Sequence, residues 1–300
     1  MRIPKGGIAF FDSGIGGLTV LAECRKRLKG ELFYYYGDNA HAPYGNLPPE
    51  KIRRYVFRAF EKFRRLRVKA VVIACNTATA VCVEELRRKY PFPIIGAEPA
   101  IFAAAKRCGR VYVLATKATC ESERFHNLYK KAHETDPSSE ICPMPCEHLA
   151  WMIERNLFIE SFDYSPFLPK GNPDTVVLGC THYIYLRKYI EDFYGCPVLD
   201  GNEGIAKQLQ RILEGETKKC KNGDRRSPIF NFCRKICPFL TTGCHKTQKT
   251  NKKNKCLLKK LKNAQKQAKN KDFFNVFFLG SQKKGNKMVY EQMFASRESP

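Results

Sequence analysis

Cys75 and Cys180 close nearly the same phrase. VVIACN at 71–76 and VVLGCT at 176–181 align without a gap, 105 residues apart. Each thiol follows four or five apolar residues and opens a segment of helical spacing, which predicts a strand running into a helix N-terminus. The free backbone N–H groups and the helix dipole at such a place favour thiolate, lowering a cysteine pKa from about 8.5 toward neutrality. With the hydroxyls of Thr77 and Thr181 and the amide of Asn76, the same N–H groups suit substrate carboxylates. Two opposed thiols meet the requirement for inverting a carbon centre, since one removes a proton from one face while its partner delivers one to the other. A lone buried cysteine is ordinarily a packing residue, and Cys24, Cys82, Cys108 and Cys196 are read that way.

A second match supports the first. AFFDSGIG at 9–16 precedes YVLATKAT at 112–119 by 103 residues, so the chain reads as a duplication. Asp12-Ser13-Gly14-Ile15-Gly16-Gly17 is a glycine-rich turn opening a helix, but its spacing is neither a P-loop nor a dinucleotide fingerprint. Asp12 would repel phosphate. A carboxylate beside a hydroxyl instead suits a substrate ammonium, or assists proton movement near a thiol.

These residues need elements to hold them. Apolar runs at 8–11, 31–36, 70–74, 111–115 and 175–179 alternate with helical patterns at Leu18 to Lys29, Glu50 to Leu66, Thr79 to Tyr90, Ser122 to Glu134 and Gly204 to Leu213. Such alternation predicts parallel α/β structure: two pseudo-symmetric parallel-sheet domains with the active site in the cleft between them.

The net charge of +24 suggests nucleic acid until it is divided along the chain. Between Lys218 and Asp272 there are 18 Lys or Arg against 2 acids, whereas residues 1–217 carry 31 against 25. The basicity belongs to one segment, so the function of the body does not follow from overall pI. Fourteen cysteines in a long chain that opens straight into an apolar strand, with no signal-peptide pattern or membrane-spanning run, predict reduced thiols and a cytoplasmic protein.

DSGIGGLTV, then GDNAHAPYG at 37–45, ACNTATA at 74–80 and GCTHY at 179–183 occur in the order and spacing of bacterial glutamate racemases, which this chain resembles over residues 7 to about 215. The resemblance implies two α/β domains enclosing glutamate, no cofactor, and Cys75 and Cys180 as the acid/base pair, with Cys75 deprotonating D-glutamate and Cys180 L-glutamate. It implies that Asp12 and Ser13 contact the amino group and α-carbon region, that Pro43, Tyr44 and Gly45 line the pocket, and that Asn76, Thr77, Thr119 and Thr181 bind the carboxylates. His182 resembles the histidine beside the second cysteine, and Glu154 its acidic partner; the competing reading of Glu154 is a surface helix residue. Asp200-Gly201 stands where such racemases usually read Asp-Ser. The expected division is 1–97 plus 206–300 as one discontinuous domain and 98–205 as the second. A role in supplying D-glutamate for peptidoglycan follows from the resemblance, and homodimers are common among such enzymes.

Residues from about 218 to 271 are read as a Lys-rich insertion, after which FFLGSQKKGNKMVYEQMF resembles the closing strand and helix. Within it, Cys233, Cys237, Cys244, His245 and Cys256 lack the paired C-x-x-C hooks of a structural zinc site, so no metal is expected. Docking of the insertion on nucleic acid is the alternative from another class, and the absence of aromatics from Lys246 to Lys271 weighs against it. Within the same chemistry the alternative is aspartate racemase, for a substrate one methylene shorter.

Overall fold

The computed structural model describes residues 6–107, 109–157, 159, 161–221 and 276–279. Within it, Met1–Ile212 with Phe277–Pro300 form one compact unit and Leu213–Val276 a second. Most of the Lys-rich segment, with Cys233, Cys237, Cys244, His245 and Cys256, lies outside the described residues, as do Cys108 and the expected closing helix.

Four uninterrupted apolar runs form the central strands. β1 (Ile8–Asp12) and β3 (Ala70–Ile73) are buried throughout, as is β7 (Thr175–Leu178); β5 (Gly109–Ala115) is buried from Val111 onward. Strands covered on both faces need no polar alternation, which is why they read as continuous runs. Around them lie β2 (Phe33–Gly37), β4 (Ile94–Gly96), β6 (Ser139–Pro145) and β8 (Val198–Leu199), with β9 (Val276–Phe278) at an edge. The first sheet has the order β4-β3-β1-β2-β9 and the second β6-β5-β7-β8. Read from the other edge, the second is β8-β7-β5-β6, so the first four strands of each half share one order, and every pairing among those four is parallel. Equivalent bonds extend the likeness: Ala74 N donates to Phe11 O at 2.8 Å and Gly179 N to Leu114 O at 2.7 Å.

Helices α1 (Gly17–Arg27), α2 (Pro49–Leu66), α3 (Asn76–Lys89), α4 (Ile101–Ala105), α5 (Lys117–Cys120), α6 (Glu123–Thr135), α7 (Leu149–Asn156), α8 (Arg187–Tyr194) and α9 (Asn202–Lys221) connect and cover the strands. In α2, Ile52, Val56, Ala59, Phe60 and Phe63 form the buried stripe, Pro49 starts the helix, and Arg67 ends it with φ 51°. Cys24 and Cys82 are buried as expected, and Cys196 is half-buried.

The chain leaves the first sheet after β4 and the second after β8, and these two crossings touch. A Cβ on Gly201 would stand 2.6 Å from the Glu98 carbonyl oxygen, which accounts for glycine at this position in this chain. Among the described residues, no helix is long and apolar enough to cross a membrane.

Candidate active site

Register sets the site. Two residues beyond the last β1–β3 pair, Phe11 with Ile73, Ser13 comes beside Cys75. Cys75 caps α3: its sulfur accepts a hydrogen bond from Ala78 N at 3.4 Å and lies 3.6 Å from Ser13 Oγ. The expectation of a lowered pKa is overturned here. Burial pushes the Cys75 thiol up to about 12, with Asp12's charge adding to the effect and Cys180 giving a smaller push, against the Ala78 and Ser13 hydrogen bonds. Desolvation exceeds the helix-end contribution, and Cys75 rests as the thiol.

Cys180 has different surroundings. The segment after it is not an α-helix but a 3₁₀ stretch, Thr181–Leu186, before α8. Its sulfur lies 3.7 Å from His182 Nδ1, while His182 Nε2 lies 2.6 Å from Glu154 Oε1. Burial pulls the His182 imidazole toward neutrality, but hydrogen bonds to Cys180 and Glu154 and their charges outweigh it, raising its pKa well above the ordinary value. Glu154 is therefore no solvated surface residue: it is mostly covered, and it binds His182 from α7.

The glycine-rich turn joins the two halves. Thr181 Oγ1 donates to Asp12 Oδ2 at 3.1 Å, and Asp12 also accepts from Gly14 N at 2.9 Å. Burial raises the Asp12 pKa, opposed by the His182 charge and these hydrogen bonds. A Cβ on Gly16 would lie 2.4 Å from Thr181 Oγ1 and 2.7 Å from its carbonyl carbon; one on Gly14 would lie 2.1 Å from Glu154 Oε1. These glycines serve close contact between protein segments, so the turn needs no phosphate to explain it.

Thr77, Thr116 and Thr119 bring three buried hydroxyls together. Thr116 Oγ1 is 2.9 Å from both Thr77 Oγ1 and Thr119 Oγ1. Thr116 was missed in the sequence, although the 103-residue offset aligns it with Ser13. Gly45 lies against it, since a Cβ there would meet Thr116 Cγ2 at 2.9 Å. Tyr44, buried beside half-buried Pro43, donates its hydroxyl to Asp38 Oδ2 at 2.6 Å. Asn76 Oδ1 is buried without a partner among the described residues, and Asn76 and Thr119 line a small surface cavity that also meets Glu98 and Arg124. Neither sulfur reaches that cavity; Cys75 and Cys180 are only 5% and 7% exposed. Among the described residues no cluster of three or more His, Cys, Asp or Glu could hold a metal ion.

The buried thiols predict alkaline instability. Cys24, Cys75, Cys82 and Cys146 are pushed from 9.0 to about 12, chiefly by burial. A raised thiol pKa means the folded state holds protons that the unfolded state releases, so this stability is complete below pH 9 and is lost as pH rises toward 12. Thermal midpoints should fall across that window, and Cys24→Ala should flatten the fall.

Fold and site together define a two-sheet α/β protein with buried thiols, carboxylates and an imidazole gathered at its strand ends. Residues 19–154 match the family model described as Asp/Glu/Hydantoin racemase. The chain is 42% identical over 246 residues to a glutamate racemase of Clostridium perfringens, spanning 76% of this chain and 92% of that one. Its structure is similar to that of glutamate racemase isoform RacE1 from Bacillus anthracis (TM-score 0.61, 33% identity, 70% of this chain and 82% of that chain). It is equally similar to Escherichia coli glutamate racemase in complex with L-glutamate and an activator (TM-score 0.61, 31% identity, 71% and 83% covered). The chain belongs to the aspartate/glutamate racemase family and is an amino-acid racemase.

Proposed function

We propose that this racemase interconverts L- and D-glutamate by passing protons between Cys75 and Cys180, and that its D-glutamate serves peptidoglycan synthesis. The observation that carries the reading is the pair of thiols at equivalent strand ends of two like-ordered sheets, linked through the Asp12-Ser13 turn, where Ser13 meets Cys75 and Asp12 meets Thr181. Support for glutamate comes from the names of the relatives and from the L-glutamate bound by the E. coli enzyme.

In this scheme the α-ammonium sits by Asp12 and Ser13. Asn76, Thr77, Thr119 and Thr181, with the Pro43-Tyr44-Gly45 turn, take the carboxylates. Removing the α-proton sends charge onto the α-carboxylate oxygens, where fixed hydroxyl donors stabilise it. With Cys75 kept protonated by burial, L-glutamate gives its proton to Cys180 and Cys75 supplies one to the other face. The thiols are then in the reverse state, ready for D-glutamate. Asp12 beside one sulfur's partner Ser13, and His182 with Glu154 beside the other sulfur, are placed to help the protons reset. The change of sheet after β4 and after β8 supports the division into 1–97 with 206–300 and 98–205.

Incubation of each glutamate enantiomer, and of aspartate, in deuterium oxide tests this. Inversion with α-deuterium uptake for both glutamates is expected; turnover of aspartate in preference would replace the substrate assignment. Thr119→Val should raise KM about tenfold by removing a hydrogen bond to a charged group. Because enantiomers have equal free energy, kcat/KM must fall by one factor in both directions.

A further inference from the structure

Ile15 lies in the turn that carries Asp12 and Ser13, yet both of its backbone polar groups are bound by side chains from elements of the other sheet's half. Its N–H donates to Glu154 Oε1 of α7 at 3.3 Å, and its carbonyl accepts from Tyr185 Oη, in the 3₁₀ stretch after Cys180, at 2.8 Å. From its own sheet, Tyr35 Oη donates to Gly14 O at 2.8 Å. The turn is thus clamped between the halves while both sulfurs are almost wholly covered.

We propose that Tyr185 is a positioning residue that, with Glu154, latches the Asp12–Gly16 turn across the cleft and so sets how often the two thiols are uncovered. Glu154 thereby joins His182's charge to closure. Tyr185 does neither chemistry nor core packing of the turn: the Ile15 carbonyl also accepts from Leu18 N at 3.1 Å. Removing the phenol oxygen therefore leaves that carbonyl paired while the bridge from Tyr185 to Ile15 is lost. The kinetic consequence rests on the two-thiol reading; the uncovering of the sulfurs does not.

The test compares full-length enzyme with Tyr185→Phe, without substrate, by the rate at which iodoacetamide labels each cysteine. Losing one neutral bridging hydrogen bond should shift the opening equilibrium about fivefold. Cys75 and Cys180 should label about fivefold faster, Cys24 and Cys82 at unchanged rates, with the thermal midpoint unmoved. In parallel, kcat/KM should stay unchanged in both directions, because the covered resting enzyme and the covered transition state lose the same bond. Unchanged labelling of the two site thiols, an equal rise at Cys24, or a fivefold fall in kcat/KM, the mark of a resting enzyme already open, each overturns the latch. If glutamate turnover itself proved absent, the labelling comparison would still decide the matter, so the two readings fail separately.

Discussion

Cys75→Ala loses racemisation of both enantiomers by about 10³-fold or more, yet still washes the α-proton of L-glutamate into solvent. The loss follows from removing one acid/base group of two, each contributing on the order of 10² to 10⁴. The residual exchange follows from the proposed assignment of Cys180 to the L face, where its His182 and Glu154 partners stay in place. It removes the proton and returns deuterium to the side it came from. Cys180→Ala gives the mirror result, exchange confined to D-glutamate. Proton magnetic resonance of the α-position with optical assay of the same samples separates exchange from inversion. Full racemisation by either variant, or exchange of the same enantiomer in both, would sink the two-thiol scheme.

Gly16→Ala is the second large effect, and it involves no chemical group. The new methyl would stand 2.7 Å from the carbonyl carbon of Thr181, a backbone atom that no side-chain rotation can clear. The turn and the Thr181 segment must separate, carrying Ser13 away from Cys75 and Asp12 from Thr181. Displacement by about an ångström costs on the order of 10² in rate. Gly14→Ala should be milder, because its methyl meets the end of the Glu154 side chain, which can turn aside at the expense of the His182 contact. Steady-state kinetics of the two variants gives the ranking, and an unimpaired Gly16→Ala enzyme would refute the close-contact reading of the turn.

The legible parts of this protein were those whose environment is uniform. β1, β3, β5 and β7 announced themselves because burial on both faces leaves an unbroken apolar run. β6 did not: it is an edge strand, alternately covered and open, with Pro143 and Pro145 where central strands avoid proline. β4 and β8, of 3 and 2 residues, are too short to carry a period. The repeat points to both thiols and, through its second match, to Thr116. The state of Cys75 was misread because a sequence displays the helix end beside a residue but not the depth at which the other half buries it. Tyr185 gave no signal at all, since its partner is 170 residues away.

The two passages between the sheets meet at one spot, Gly201 against Glu98. A structure joined twice at a single place behaves like a door on one post: it swings, but sliding or shearing would tear one passage from the other. Any opening must then admit solvent to both sulfurs in the same movement. Left- and right-handed substrate would share one entrance, and no small-angle motion could serve one hand while shutting out the other.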